Sequence, residues 1–115
     1  MGKLYENKRK PERTGKKIIV GRKESVPPGR GATVKFKDGG EVALYNVDGN
    51  FYAIENFCPH KAYPLADSCL TGNIVECDLH GWRFDVRNGK CLTKKNGSIE
   101  SYEVVVEDNL IKIIA

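Results

Sequence analysis

Short apolar runs, broken by turn residues at intervals of about ten positions, give the chain its character. Residues 17–21 are rich in β-branched side chains and predict a strand. It ends before Val26-Pro27-Pro28-Gly29-Arg30-Gly31, a stretch through which no helix can continue. Residues 32–37 and 41–47 predict strands on either side of Asp38-Gly39-Gly40, and residues 51–55 a strand after Asp48-Gly49-Asn50. Both junctions are hairpin signals. Further strands are expected at 73–77, 82–86, 102–106 and 110–114, with turns at Asn88-Gly89, Asn96-Gly97 and Glu107-Asp108-Asn109. Over residues 102–107, Tyr102, Val104 and Val106 fall on one face and Glu103 and Glu107 on the other, as a half-buried strand requires. Phe36, Tyr45, Phe51 and Tyr52 also lie within strand patterns and are expected to pack in the core. No window of about 11 residues sustains helical spacing. The expected fold class is all-β: an antiparallel sandwich or small barrel of many short strands.

Length narrows this further. A chain of 115 residues and 12.8 kDa is one domain, and 40% hydrophobic residues supply one compact core without disulfide staples. Charge divides it into a basic arm, residues 1–16, expected to be flexible, and a domain, residues 17–115. Residues 1–17 carry seven basic side chains against two acidic ones, a net of +5, whereas the remaining 98 sum to −1. The pI near 8.9 therefore describes the arm, and a nucleic-acid-binding surface is not indicated. Such an arm is expected to be solvated, the alternative being one that steers the domain to an acidic partner or membrane surface. No export signal or membrane span is visible, so a soluble, cytoplasmic protein is expected. In that setting four cysteines favour metal ligation or thiols over a disulfide framework.

The only two histidines lie in two matching segments, Cys58-Pro59-His60 and Cys77-Asp78-Leu79-His80-Gly81-Trp82, with 16 residues between His60 and Cys77. Each segment can turn one thiolate and one imidazole toward a single centre, and chance placement would rarely use every histidine this way. One Zn²⁺ bound by two Cys and two His is one reading. The usual finger, however, groups its cysteines in one knuckle and its histidines on a helix. Mixing one of each in both loops suits a centre with two chemically different ends.

Cys-x-His followed after 16 residues by Cys-x-x-His resembles the Rieske signature. The resemblance spans residues 18–115 and includes the Asp48-Gly49 turn before Phe51-Tyr52-Ala53-Ile54 and the Pro64-Leu65-Ala66 run. It implies a Rieske-like sandwich or barrel whose cluster-binding subdomain is formed by two loops, holding one [2Fe–2S] cluster per chain. Cys58 and Cys77 would ligate the inner iron, and His60 and His80 the outer one. Two ferric ions, two sulfides and two thiolates cancel, so with neutral imidazoles the oxidised centre is neutral. An added electron should settle on the imidazole side, which the family exposes to solvent.

Departures from the high-potential members are informative. Those carry a further cysteine in each loop, joined by a disulfide, where this chain has Tyr63 and Leu79. They also place Ser and Tyr hydroxyls, which donate to sulfur, where this chain has Trp82 and Phe84. Losing such donors lowers the potential, so a value near the bottom of the roughly −150 to +300 mV Rieske range is expected. Ala62 stands where many relatives have Gly, and Pro64 is expected to stiffen the first loop. Cys69 and Cys91, outside the motif, are expected to be buried thiols, with a disulfide between them the alternative. Arg83 and Asp85 are expected to form a surface ion pair.

If both histidines are ligands, none is left for acid–base or nucleophilic catalysis, and no two-His-one-carboxylate iron site can be assembled. The resemblance implies a soluble ferredoxin with no small-molecule substrate of its own, passing single electrons from a reductase to a terminal oxygenase or other acceptor. Two competitors stand beside it: a small Rieske subunit of a larger, nitrite-reductase-like enzyme, and a zinc-stapled β module that binds a partner through the arm.

Overall fold

The computed structural model describes residues 10–58, 64–78 and 81–115. Among these residues nine strands form two antiparallel sheets. The larger has the order β1-β9-β8-β4-β3-β2, built from β1 (Lys17–Arg22), β2 (Gly31–Lys35), β3 (Glu41–Val47), β4 (Asn50–Glu55), β8 (Ser101–Glu107) and β9 (Leu110–Ile114). The smaller, β5-β6-β7, comprises β5 (Cys69–Thr71), β6 (Ile74–Glu76) and β7 (Arg83–Asp85), and is inserted between β4 and β8. Two 3-10 turns, Lys23–Ser25 and Leu65–Asp67, complete the elements. The all-β, antiparallel expectation holds.

Turn chemistry sets the registers. Asp48 and Gly49 have φ of 51° and 90°, and Asp108 and Asn109 of 54° and 65°. Two successive left-handed residues make the tight connection that suits the twist of paired strands. The β3–β4 pair accordingly closes at Val47 with Asn50, and the β8–β9 pair at Glu107 with Leu110.

Strand β3, next to the edge strand β2, is buried on both faces, and its period of two divides the core. Val42 and Leu44 face one apolar cluster with Val26, Phe51, Tyr102, Ile111 and Ile113. Ala43 and Tyr45 face the other, with Ile54, Leu65, Val75, Cys77 and Phe84. The second cluster, packed between the large sheet and the small one, receives both motif cysteines.

Three expectations change. Strand β5 is absent from the sequence reading because Cys69-Leu70-Thr71 is too short to show alternation; its pairing with β6 defines it. Val106 is 41% exposed although it shares a face with buried Tyr102. The reason is that β4 pairs with β8 only at Ser101 and Tyr102, so the far end of β8 runs past its cover. The third change concerns the arm, whose residues 10–16 are not merely solvated. Pro11 is buried and crosses Gly40 so closely that a Cβ there would overlap the Pro11 backbone. Glu12 N–H donates to Asp38 Oδ2 at 2.8 Å, and Thr14 Oγ1 to the Ala115 carbonyl at 2.8 Å. Lys10 and Arg13 both pair with Glu100, and the Arg13 guanidinium lies 4.2 Å from the Tyr102 ring centre. Residues 1–9 lie outside the described residues.

Candidate metal centre

Cys58 follows β4 and Cys77 follows β6, so each motif cysteine stands where a strand of a different sheet gives way to a loop. Both are fully buried, belong to the same apolar cluster and are outside any disulfide. Leu65, Val75 and Phe84, all fully buried, share that cluster. Two thiols buried in one apolar cluster, each at the start of a loop, can serve as metal ligands from the protein side.

The first loop is closed at its base by a bridge between Phe57 and Pro64. Asn56, 1% exposed, clamps it. Its carbonyl accepts from Leu65 N–H, and its Oδ1 accepts from Ala66 N–H at 3.0 Å. Its Nδ2 donates to Thr33 Oγ1 at 3.2 Å and to Glu41 Oε1 at 3.1 Å. One side chain thereby ties the exit of the loop to β2 and β3. Pro64 immediately precedes the Leu65–Asp67 turn.

The second loop is shorter and closes on itself. Cys77 N–H donates to the Trp82 carbonyl at 2.7 Å, and Gly81 N–H to the Cys77 carbonyl at 2.9 Å. Gly81 has φ +70°, a conformation that glycine adopts without penalty. Beside this loop Arg83 Nε donates to Glu76 Oε1 at 3.0 Å, while Asp85 pairs with Arg87 at 2.8 Å. The expected Arg83–Asp85 pair is thus replaced by two others. Arg83 and Asp85 share a face of β7, but Arg83 is exposed and reaches Glu76, its cross-strand neighbour on β6, whereas Asp85, 7% exposed, is engaged by Arg87 two residues on. Hydrogen bonding from the Arg87 side chain holds the Asp85 carboxyl below its ordinary value.

The expected ligands His60 and His80 lie outside the described residues, as do Ala62, Tyr63 and Leu79. Among the described residues no three His, Cys, Asp or Glu side chains gather into a metal-ligating group. Cys91 is a buried thiol, 3.7 Å from Thr93 Oγ1, as expected, but Cys69 is exposed on the short strand β5. No disulfide joins them. Asn56 was not legible as a site residue, because its partners Thr33, Glu41 and Ala66 come from three distant segments. The one local hint is a turn-favouring amide at the end of an apolar strand, two positions before Cys58.

The sequence profile of the Rieske [2Fe-2S] domain matches residues 16–103. The ferredoxin component of the naphthalene 1,2-dioxygenase/salicylate 5-hydroxylase systems of Ralstonia sp is 42% identical over 86 residues, 74% of this chain and 82% of that protein. Among solved structures, the Sphingomonas yanoikuyae B1 ferredoxin superposes with a TM-score of 0.80 at 31% identity, covering 87% of this chain and 99% of that one. A chain from the complex of reduced oxygenase and oxidized ferredoxin in carbazole 1,9a-dioxygenase gives 0.78 at 27% identity, covering 84% and 99%.

Proposed function

We propose that this chain, which belongs to the Rieske [2Fe-2S] domain family, holds its one cluster through Cys58, His60, Cys77 and His80 and hands single electrons from a reductase to a terminal oxygenase. Membership of the family decides for iron–sulfur over zinc. The observation that carries the ligand assignment is the joint burial of Cys58 and Cys77, outside any disulfide, in one apolar cluster below both loops.

A [2Fe–2S] group supplies one-electron storage when bound. The chain's own residues then do three things. Leu65, Val75 and Phe84 keep water from the two sulfurs. Asn56 and the Phe57–Pro64 bridge fix the exit of the first loop, and the Cys77–Trp82 bond fixes the base of the second, so the backbone beside Cys58 and Cys77 is braced. Phe84, buried in that cluster with no hydroxyl to offer, leaves the sulfurs without a side-chain donor at its position, which supports a potential low in the Rieske range.

The acceptor class comes from the relatives, described as ferredoxin components or as a ferredoxin with its oxygenase. With both histidines engaged as ligands, the chain has no substrate chemistry of its own and works as a carrier in the cytoplasm. Among the described residues no helix is long and apolar enough to cross a membrane. Titrating His80→Ala tests the assignment: it should lose the native visible and EPR signature and electron delivery together. A normal Rieske EPR signal in that variant would sink it.

A further inference from the structure

Near-neutrality of the body conceals two opposed charge regions. Residues 82–99 carry Arg83, Arg87, Lys90, Lys94 and Lys95 against Asp85 alone, a net of +4. Residues 100–115 carry Lys112 against Glu100, Glu103, Glu107 and Asp108, a net of −3. The basic segment packs directly on the second cysteine loop. Trp82, which closes that loop, leads into β7; Leu92 N–H donates to the Arg83 carbonyl at 2.8 Å, and Arg83 N–H to Thr93 Oγ1 at 3.1 Å. Gly97 fits under the same tryptophan, where a Cβ would come 3.2 Å from the ring and 3.0 Å from Cys91 Sγ.

Pairing of Phe84 with Cys91 turns those two side chains into the core and leaves Arg83 and Leu92 on the outer side. Leu92 is 49% exposed there. Around it, Lys90, Lys94 and Lys95 are exposed, and none has an ion-pair partner among the described residues. Arg83 and Arg87 are neutralised by Glu76 and Asp85, so the three lysines carry the surplus charge. An apolar contact within a ring of unpaired charge of one sign is the anatomy of a protein-docking patch, and its complement is carboxylate-rich.

Resting on the carrier reading above, we infer that the face formed by Leu92, Lys90, Lys94 and Lys95 beside the Trp82-closed loop is the docking surface for a redox protein that presents an acidic rim. The lysines steer that partner to the cluster end, and Leu92 fills its apolar centre. The opposite, acidic region, around the β8–β9 turn, is turned away from such a partner by the same field.

Stopped-flow oxidation of the reduced holoprotein by two small probes tests this, ferricyanide as the trianion and tris(phenanthroline)cobalt(III) as the trication. Each takes one electron from the protein, with no bond or proton transferred. In Lys94→Glu/Lys95→Glu at low ionic strength, ferricyanide should react roughly 3- to 10-fold more slowly and the cobalt complex faster by a similar factor, both effects vanishing as salt rises. Lys94→Gln/Lys95→Gln should give about half the logarithmic effect and guards against a folding fault in the reversed pair. Arg22→Glu/Lys23→Glu is the control. Lys23 N–H bonds to Asn109 in the β8–β9 turn, about 20 Å along β8 from Ser101 at the cluster end, so equal reversal there should change either rate less than twofold. Equal effects from both pairs, or none from either, would overturn the docking surface while leaving the carrier reading intact. Absence of a one-electron signal in the wild-type protein before mixing would overturn both.

Discussion

Asn56 braces the base of the first loop, and three segments lose a partner if it goes. Asn56→Ala leaves Ala66 N–H buried without an acceptor and should cost about 2 to 3 kcal/mol in guanidinium unfolding. An unchanged midpoint would show that the clamp is incidental. The two buried tyrosines predict the opposite sign. The hydroxyls of Tyr45 and Tyr102 are buried without a hydrogen-bond partner, and desolvation pushes both phenols up, Tyr102 to about 12. Removing an unsatisfied hydroxyl while keeping the ring should be neutral or stabilising by up to about 1 kcal/mol in Tyr45→Phe. A loss of stability would mean that the hydroxyl has a partner in solution. At this scale the sequence was informative where chemistry is local: Cys58 and Cys77 stand out by spacing. It was silent on Asn56, whose role comes from residues brought together only by the fold.

Among the elements, hairpins with two left-handed turn residues were the most legible, since Asp48-Gly49 and Asp108-Asn109 state their geometry in their own side chains. Strand β5 and the uncovered end of β8 were not, because both depend on which neighbour lies alongside. Segment 82–99 depends on Gly89, which has φ +78°, and whose Cβ would overlap the Ile99 carbonyl. Gly89→Ala should therefore cost at least about 2 kcal/mol and lower Tm by roughly 8 °C or more, readable by calorimetry. The arm is the element whose character the structure changed most. Hydrogen bonding from Lys10, then Arg13, holds the Glu100 carboxyl below its ordinary value of 4.5. That pairing is in force above the ordinary value and is lost as pH falls through the lowered one. Arg13→Ala should thus reduce stability at neutral pH, with the difference from wild type shrinking in acid. Deleting residues 2–15 should lower Tm yet leave the cluster spectrum intact, because Arg13 and Thr14 hold the arm to Glu100, Tyr102 and Ala115.

For the molecule as a whole, two sheets enclose one apolar cluster that presents two buried sulfurs to two braced loops, and a basic face flanks the second of them. Potential is the property on which these features converge. Phe84 and Trp82, where hydroxyl donors could have stood, predict a value toward −150 mV, and protein-film voltammetry giving a potential well above about zero would contradict it. Cys91 sharpens the remaining question, since it is a third buried thiol in the cluster that holds Cys58 and Cys77. Pulsed EPR of the reduced protein asks directly which atoms hold the irons. Two thiolates and two imidazoles predict hyperfine couplings from two histidine nitrogens on a Rieske-type signal; a [2Fe–2S] signal with no nitrogen coupling would contradict the account.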